Sequence, residues 1–185
     1  MNIGIIDCGG ANLNSIYYSF KRLGINAIIS KSVNELSEMN AYVLPGVGSA
    51  DVVMNTLRKR DLINFIKCTK KPILGICIGM QILFDYSEEN QTRCLGIIDG
   101  NIEKFSVNDR INVPQMGWNK VECDADKNLN GYYYFANSYY SQIFDQALAS
   151  AEHGESFAAV IQKDNFLGCQ FHPEKSSFAG KKFLD

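Results

Sequence analysis

Histidine, tryptophan and proline are scarce in this sequence, with two, one and four copies in 185 residues. Any reaction that needs an imidazole base must therefore use His153 or His172. Basic residues do not exceed acidic ones, 18 against 20, and a net charge of -2 gives no electrostatic case for binding nucleic acid. The cysteines (Cys8, Cys68, Cys77, Cys94, Cys123 and Cys169) include no C-x-x-C pair, so neither a zinc ribbon nor a secreted disulfide framework is signalled. No metal and no cofactor is expected, and the phosphate-loop patterns G-x-x-x-x-G-K-[ST] and G-x-G-x-x-G are missing. The opening MNIGIIDCGG lacks a basic region, and its apolar run meets Asp7 long before membrane length. A cytoplasmic location is the expectation.

What is present suits one ordinary domain. A chain of this length buries roughly 70% of its unfolded surface, and 46% hydrophobic with 21% charged residues is a globular composition. Short apolar runs alternate with helical spacings in the first half: strand 3–6, helix 12–23 closed by Gly24, strand 25–29, a Ser-x-x-Glu capping box at 32–35, strand 41–44, helices restarting at Asp61, and strand 72–76. That alternation predicts a parallel sheet with crossover helices. From about residue 90 the runs shorten and carry Gly and Asn turns, which predicts additional antiparallel strands.

The stretch GICIGMQ at 75–81 poses the chemical question. A cysteine between two glycines, where a buried strand gives way to a helix, is either a small core residue or the nucleophile of a G-x-nucleophile-x-G elbow, with 78–86 as the helix. A helix N-terminus favours the thiolate. A nucleophile needs a base. His153, in AEHGES, reads as a solvated surface histidine. His172 precedes Pro173, which biases it to extended backbone, and in an extended segment Glu174 projects to the same side. Cys77, His172 and Glu174 thus form a possible relay of nucleophile, base and orienter. Cys169 and His172, three apart, fall on opposite faces of a strand and make a poor metal site. The turn PGVG at 45–48 offers backbone N–H groups that, with Ile78, would suit an oxyanion; a phosphate loop or a plain tight turn are its other readings.

PGVG, GICIGMQ and QFHPEKS, in this order, resemble the class I (triad-type) glutamine amidotransferases over nearly the whole chain. Within that family, DCGGANLNS at 7–15, PQMGWN at 114–119 and QKDNFLGCQFHPEKS at 162–176 are most similar to the glutaminase subunits of imidazole glycerol phosphate synthases. The resemblance implies a single flavodoxin-like α/β domain over 1–185, with a mostly parallel central sheet, flanking helices and extra antiparallel strands in its second half. It implies a Cys77, His172 and Glu174 triad, an oxyanion site from Gly46, Val47, Gly48 and Ile78, and glutamine contacts at Gln81, Ser138 and Tyr139. It also implies ammonia delivery to a (β/α)8-barrel cyclase in a heterodimer, through a face carrying Asn12, Asn14, Trp118, Asn119 and Lys175. Trp118, in a turn-like M-G-W-N, is expected to be partly exposed.

Three places depart from the family pattern. Gln115 and Asn137 stand where histidines are usual, and the first loop reads D-C-G-G-A-N in place of D-Y-G-x-G-N. These departures keep two further readings open: an amidotransferase serving another synthase, such as one aminating sugars for surface polysaccharide, and a free-standing glutamyl-amide hydrolase.

Overall fold

The first apolar run forms β1 (Asn2–Ile6), and the alternation that follows is α1 (Leu13–Arg22), β2 (Asn26–Ser30), α2 (Val33–Ser37), β3 (Ala41–Leu44), α3 (Ala50–Lys59), α4 (Leu62–Cys68) and β4 (Ile73–Ile76). The second half contains α5 (Ile78–Gln81), β5 (Tyr86–Ser87), β6 (Thr92–Arg93), β7 (Asn101–Lys104), β8 (Gln115–Val121), β9 (Gly131–Asn137), β10 (Tyr139–Tyr140), β11 (Ala147–Glu152), β12 (Ser156–Lys163), β13 (Phe166–Cys169) and α6 (Ser177–Leu184). The computed structural model describes residues 1–9, 12–46, 48–106 and 111–185.

A seven-stranded sheet in the order β11-β12-β13-β4-β3-β1-β2 runs through the molecule. β2, β1, β3, β4 and β13 are parallel neighbours, and β12 and β11 continue the sheet antiparallel. The expected mix is therefore present within one sheet. The remaining strands form a four-stranded sheet, β10-β7-β5-β6, and the β8-β9 pair. Parallel strands are covered on both faces, and β1, β3 and β4 are accordingly near-continuous apolar runs. Ile16 and Phe20 of α1 and Val53, Met54 and Leu57 of α3 are buried on the faces those helices turn inward. Beneath the end of β13 an aromatic cluster fixes the chain: Phe171 stacks on Tyr133 with ring centroids 4.0 Å apart and meets Phe135 and Phe183 edge-on. Each such side chain contributes about 1.5–3 kcal/mol when fully buried. Among the described residues, no helix is long and apolar enough to cross a membrane.

Several expectations need correction. The helix after Cys77 ends at Gln81 and does not run to Tyr86. The carbonyls it would have used are taken by a neighbouring loop: Leu95 N–H donates to Ile82 O, Ile97 and Ile98 N–H to Leu83 O, and Gly96 N–H to Phe84 O. The capping box at 32–35 is half made. Ser32 Oγ accepts from Glu35 N–H at 3.5 Å, but the Glu35 carboxylate turns to the Ser30 hydroxyl. Trp118 lies inside strand β8 and not in a turn. His153 is half-buried, with Nε2 2.9 Å from Asn112 O and its ring against Phe105.

Candidate active site

β3, β4 and β13 are adjacent parallel strands, so the loops leaving their carboxyl ends converge. In open α/β sheets this edge is where ligands bind. The loops are PGVG after β3, Cys77 after β4, and the segment reaching His172 after β13.

Cys77 links β4 to α5 with φ 54 and ψ -113, a backbone state costing about 1–3 kcal/mol for a residue with a side chain. Packing around it holds that state. A Cβ on Gly79 would fall on the Leu44 carbonyl oxygen, and one on Gly75 would lie 2.6 Å from Gly79 O. The two glycines of GICIG are thus clearance for helix against strand, as expected. Cys77 N–H donates to Cys169 O at 2.8 Å, while Met80 and Gln81 N–H both donate to Cys77 O. The Ile78 N–H, first in the helix, has no acceptor among the described residues. Cys77 is 5% exposed, and its Sγ lies 3.9 Å from Ala136 O and 3.7 Å from Gln170 Nε2.

His172 is extended, as Pro173 requires, at φ -99 and ψ 95. Its backbone is tied down from two sides: its N–H donates to Tyr134 O at 2.8 Å, and its carbonyl accepts from the Ser176 hydroxyl at 2.6 Å. Ser176 is fully buried and also accepts from Tyr134 N–H. Glu174 reaches the ring by a different route from the one expected. Pro173–Lys175 is a turn of 3-10 helix, so Glu174 folds back under His172 and does not lie two places along a strand. His172 Nδ1–H donates to Glu174 Oε1 at 2.9 Å. The Glu174 side chain is 1% exposed. Burial pushes the His172 imidazole down, but hydrogen bonds and charge from Cys77 and then Glu174 outweigh it and lift the group from 6.5 to about 10.

Asn12 joins this cluster. It sits at the N-cap of α1 in a left-handed conformation (φ 82) and makes no side-chain cap bond. Its Nδ2 donates instead to Glu174 Oε1 at 3.0 Å. Sequence reasoning placed it only on a partner-facing surface. Asn14, two residues on, is exposed.

A cavity of about 200 Å³ opens at Cys77, lined by Gly48, Ile78, Gln81, Glu89, Ala136, Asn137, Ser138 and Tyr139 among others. The expected substrate residues Gln81, Ser138 and Tyr139 are therefore together. Gln81 is buried, and its Nε2 donates at 2.9 Å to both Tyr139 O and Gln170 Oε1; its amide hydrogens hold the wall together. Of the expected oxyanion residues, Gly48 lies in the lining at φ +100, Val47 lies outside the described residues, and Gly46 is packed so tightly on Ile78 and Gly79 that a Cβ would overlap both. Cys8, in the altered first loop, donates its thiol to Pro45 O at 3.1 Å and so ties that loop to PGVG.

Sequence reasoning missed Glu89. It lies on a 3-10 turn, Glu89–Gln91, and its carboxylate accepts from Ala50 N–H at the start of α3 at 2.7 Å. Burial lifts its carboxyl above the ordinary carboxylate range against that hydrogen bond, with Asp51 adding to the lift. Nothing in SEENQ distinguishes Glu89 from a solvated acid; only its place in the cavity does.

The remaining expected residues gather beside this cavity. Trp118 is 55% exposed and meets Tyr134 edge-on, the Lys175 ammonium lies 5.7 Å from the Tyr134 ring centre, and Asn119 Nδ2 donates to Glu152 O. Tyr134, absent from the sequence reading, connects them: its side chain touches both Trp118 and Lys175, and its backbone holds His172. A second cavity, about 480 Å³, is lined by Pro114, Gln115, Met116, Trp118, Asn119 and His153 among others. No group of three or more metal-ligating side chains occurs among the described residues.

Known proteins resemble this chain in sequence and in fold. The family model for glutamine amidotransferase class-I matches residues 4–184. The sequence is 45% identical over 184 residues to an imidazole glycerol phosphate synthase subunit HisH 2 of Campylobacter jejuni, covering 98% of this chain and 94% of that one. It is 40% identical over 191 residues to the imidazole glycerol phosphate synthase subunit HisH of Pectobacterium atrosepticum, covering 100% and 97%. A crystal structure of a glutamine amidotransferase superposes with a TM-score of 0.76 at 17% identity over 98% of this chain and 94% of that one. The structure of PurLQS from Thermotoga maritima superposes at 0.70 and 15%, over 99% and 95%; at such identities the likeness is one of fold.

Proposed function

The chain belongs to the class-I glutamine amidotransferase family, and on that premise we propose that it is the glutaminase subunit of an imidazole glycerol phosphate synthase. The observation that carries the chemistry is the His172 ring, donating Nδ1–H to the buried Glu174 Oε1 at 2.9 Å, on the segment that leaves β13 beside the strand leading to Cys77.

Cys77 Sγ attacks the side-chain carboxamide carbon of L-glutamine, and the oxyanion that forms takes a hydrogen bond from the Ile78 N–H, with a second donor from the PGVG loop. His172 gives its proton to the leaving nitrogen, the C–N bond breaks, and ammonia departs from a thioester on Cys77. The same histidine then takes a proton from water, whose oxygen attacks the thioester; the C–S bond breaks to release glutamate, and His172 returns the proton to the Cys77 sulfur. Glu174 orients the ring and supports its positive charge throughout. Gln81, Ser138 and Tyr139 hold the substrate's amino-acid end, and Glu89 takes its α-ammonium, a cation that a half-buried carboxylate in that wall suits.

The ammonia passes to a (β/α)8-barrel cyclase that docks on the face of Asn14, Trp118, Asn119 and Lys175, yielding imidazole glycerol phosphate and the aminoimidazole carboxamide ribonucleotide of histidine biosynthesis in the cytoplasm. HisH-named relatives at 40% and 45% identity support this choice among amidotransferases. The test is Cys77→Ala in the assembled complex. Glutamine-dependent synthesis is expected to vanish while ammonia-dependent synthesis persists. Failure to bind the barrel, with glutamine hydrolysis intact, would leave the chemistry and remove the partner.

A further inference from the structure

Two of the departures from the family pattern face one another. Gln115 on β8 and Asn137 on β9 are directly opposite in the antiparallel register, so both side chains leave the same face of the pair. They are 6% and 5% exposed. Gln115 Oε1 and Asn137 Oδ1 are sealed from solvent, and neither accepts a hydrogen bond among the described residues. Asn137 spends its Nδ2 on Tyr139 O at 3.0 Å.

Their position is a wall between two cavities. Asn137 lines the cavity of Cys77, Gln115 lines the one beneath Trp118, and Pro114 and Met116 line both. A wall that only separates two cavities is more stable with its polar atoms paired, or with apolar side chains in their place. Two neighbouring acceptors without donors suit instead a small donor that passes through.

We propose that the Gln115 and Asn137 carboxamides form a relay site for ammonia released at Cys77, carrying it from the catalytic cavity to the Trp118 face. The proposal rests on the glutaminase reading above. When the Sγ–C bond forms and the C–N bond breaks, the proton from His172 completes NH3, a molecule with N–H donors for both oxygens. Neutral carboxamides accept those hydrogens and neither give nor take a proton, so the ammonia stays un-ionised and able to act as a nucleophile. Water fits the same acceptors, and the experiment must separate the two.

The experiment uses the chain assembled with its barrel synthase. Glutamate, final product and free ammonia are measured together with glutamine as donor, and product alone with an external ammonium salt. Gln115→Met and Asn137→Leu, singly and combined, remove the acceptors at similar volume. The ratio of product to glutamate is expected to fall several-fold, with ammonia appearing in solution, while synthesis from external ammonia holds its rate. An unchanged ratio in the double apolar variant, with glutamate still formed, overturns the relay and leaves a buried water or a merely structural pair. Should Asn137→Leu fail to fold, Gln115→Met on the far side of the wall decides by the same ratio. A wild-type complex that forms no glutamate overturns the glutaminase reading itself, and with it the relay.

Discussion

Asn12 donates to the oxygen of Glu174 that also receives the His172 ring, at 3.0 and 2.9 Å. One carboxylate oxygen therefore joins the first loop of the chain to its last catalytic segment, across 162 residues of sequence. A hydrogen bond to a charged group contributes about 1.5–3 kcal/mol, and here it fixes the orienter of the base. Asn12→Gly keeps the left-handed backbone and removes only the side chain. Its kcat for glutamine hydrolysis is expected to fall about tenfold or more, with KM little changed. Steady-state kinetics on the complex decide it; an equal loss in a variant at exposed Asn14 would mean that docking, not Glu174, is affected.

Gly79→Ala is expected to be among the most destabilising single changes in the chain. Its Cβ would occupy the position of the Leu44 carbonyl oxygen, a backbone atom that cannot swing aside as a side chain does. Overpacking of this kind costs about 3 kcal/mol or more. Urea unfolding should show the loss, or the variant should fail to accumulate as folded protein. Gly24→Ala is the control, since a Cβ there meets nothing within 4 Å and only its positive φ of 74 is strained.

These two cases mark how much of the site could be read from sequence. The Cys77 elbow was legible because its geometry is local: strand, two clearance glycines and helix start all lie within seven residues. The pairing of His172 with Glu174 was legible as a pair, but its route was not, because the turn of 3-10 helix at Pro173–Lys175 that folds Glu174 back under the ring has no signature beyond Pro173. The length of α5 depended on residues 95–98 capturing the carbonyls of 82–84, a choice made in tertiary structure. Asn12, Glu89 and Tyr134 had no local signature at all. The register that puts Gln115 against Asn137 followed from β8 and β9 pairing along their whole length, which their own compositions do not dictate.

His172 should hold its proton well above the ordinary imidazole range. Hydrogen bonds and charge from Cys77 and Glu174, acting against burial, hold its folded value at about 10 against an ordinary 6.5. Protonation of His172 therefore stabilises the fold in full below about pH 6.5, and that contribution is lost as pH rises toward about 10. Titration followed by NMR is simple with only His153 and His172 to resolve. Cys77→Ala removes the stronger raising partner, and the His172 midpoint is expected to drop by more than a unit; an unmoved midpoint would show that Glu174 alone holds the proton.

The thiols should differ sharply in reactivity. Burial pushes Cys8 up to about 12 and Cys169, fully enclosed and close to Glu174 and Cys77, well above its ordinary value. Both are then protonated and shielded at neutral pH, and a thiol without its thiolate form is a poor nucleophile. A glutamine-like chloroketone should label the native protein once, at Cys77, whereas a small neutral alkylator should reach the exposed Cys68 first. Peptide mapping after each reagent separates the two patterns. Early modification of Cys8 would mean that the loop over PGVG opens.

Trp118 provides a direct reading of partner docking, because it is the sole tryptophan and is 55% exposed beside Tyr134 and Lys175. A half-exposed indole emits at long wavelength, and covering it with a barrel subunit should shift the emission to the blue in proportion to complex formed. Interfaces concentrate their energy in such aromatics, with truncation costing about 2 kcal/mol or more at a central position, so Trp118→Ala is expected to weaken the complex by about thirtyfold. Stability of the isolated chain should hardly change, since the side chain packs on Tyr134 alone among the aromatic rings. Lys175→Ala adds a second arm: it removes the cation above Tyr134 without touching the His172 backbone ties to Tyr134 and Ser176. Weakened binding in both variants, with glutamine hydrolysis by the saturated complex retained, would place the docking face on the Trp118 side of the catalytic cavity; normal affinity in both would move the partner to another face and leave the wall between the two cavities leading nowhere.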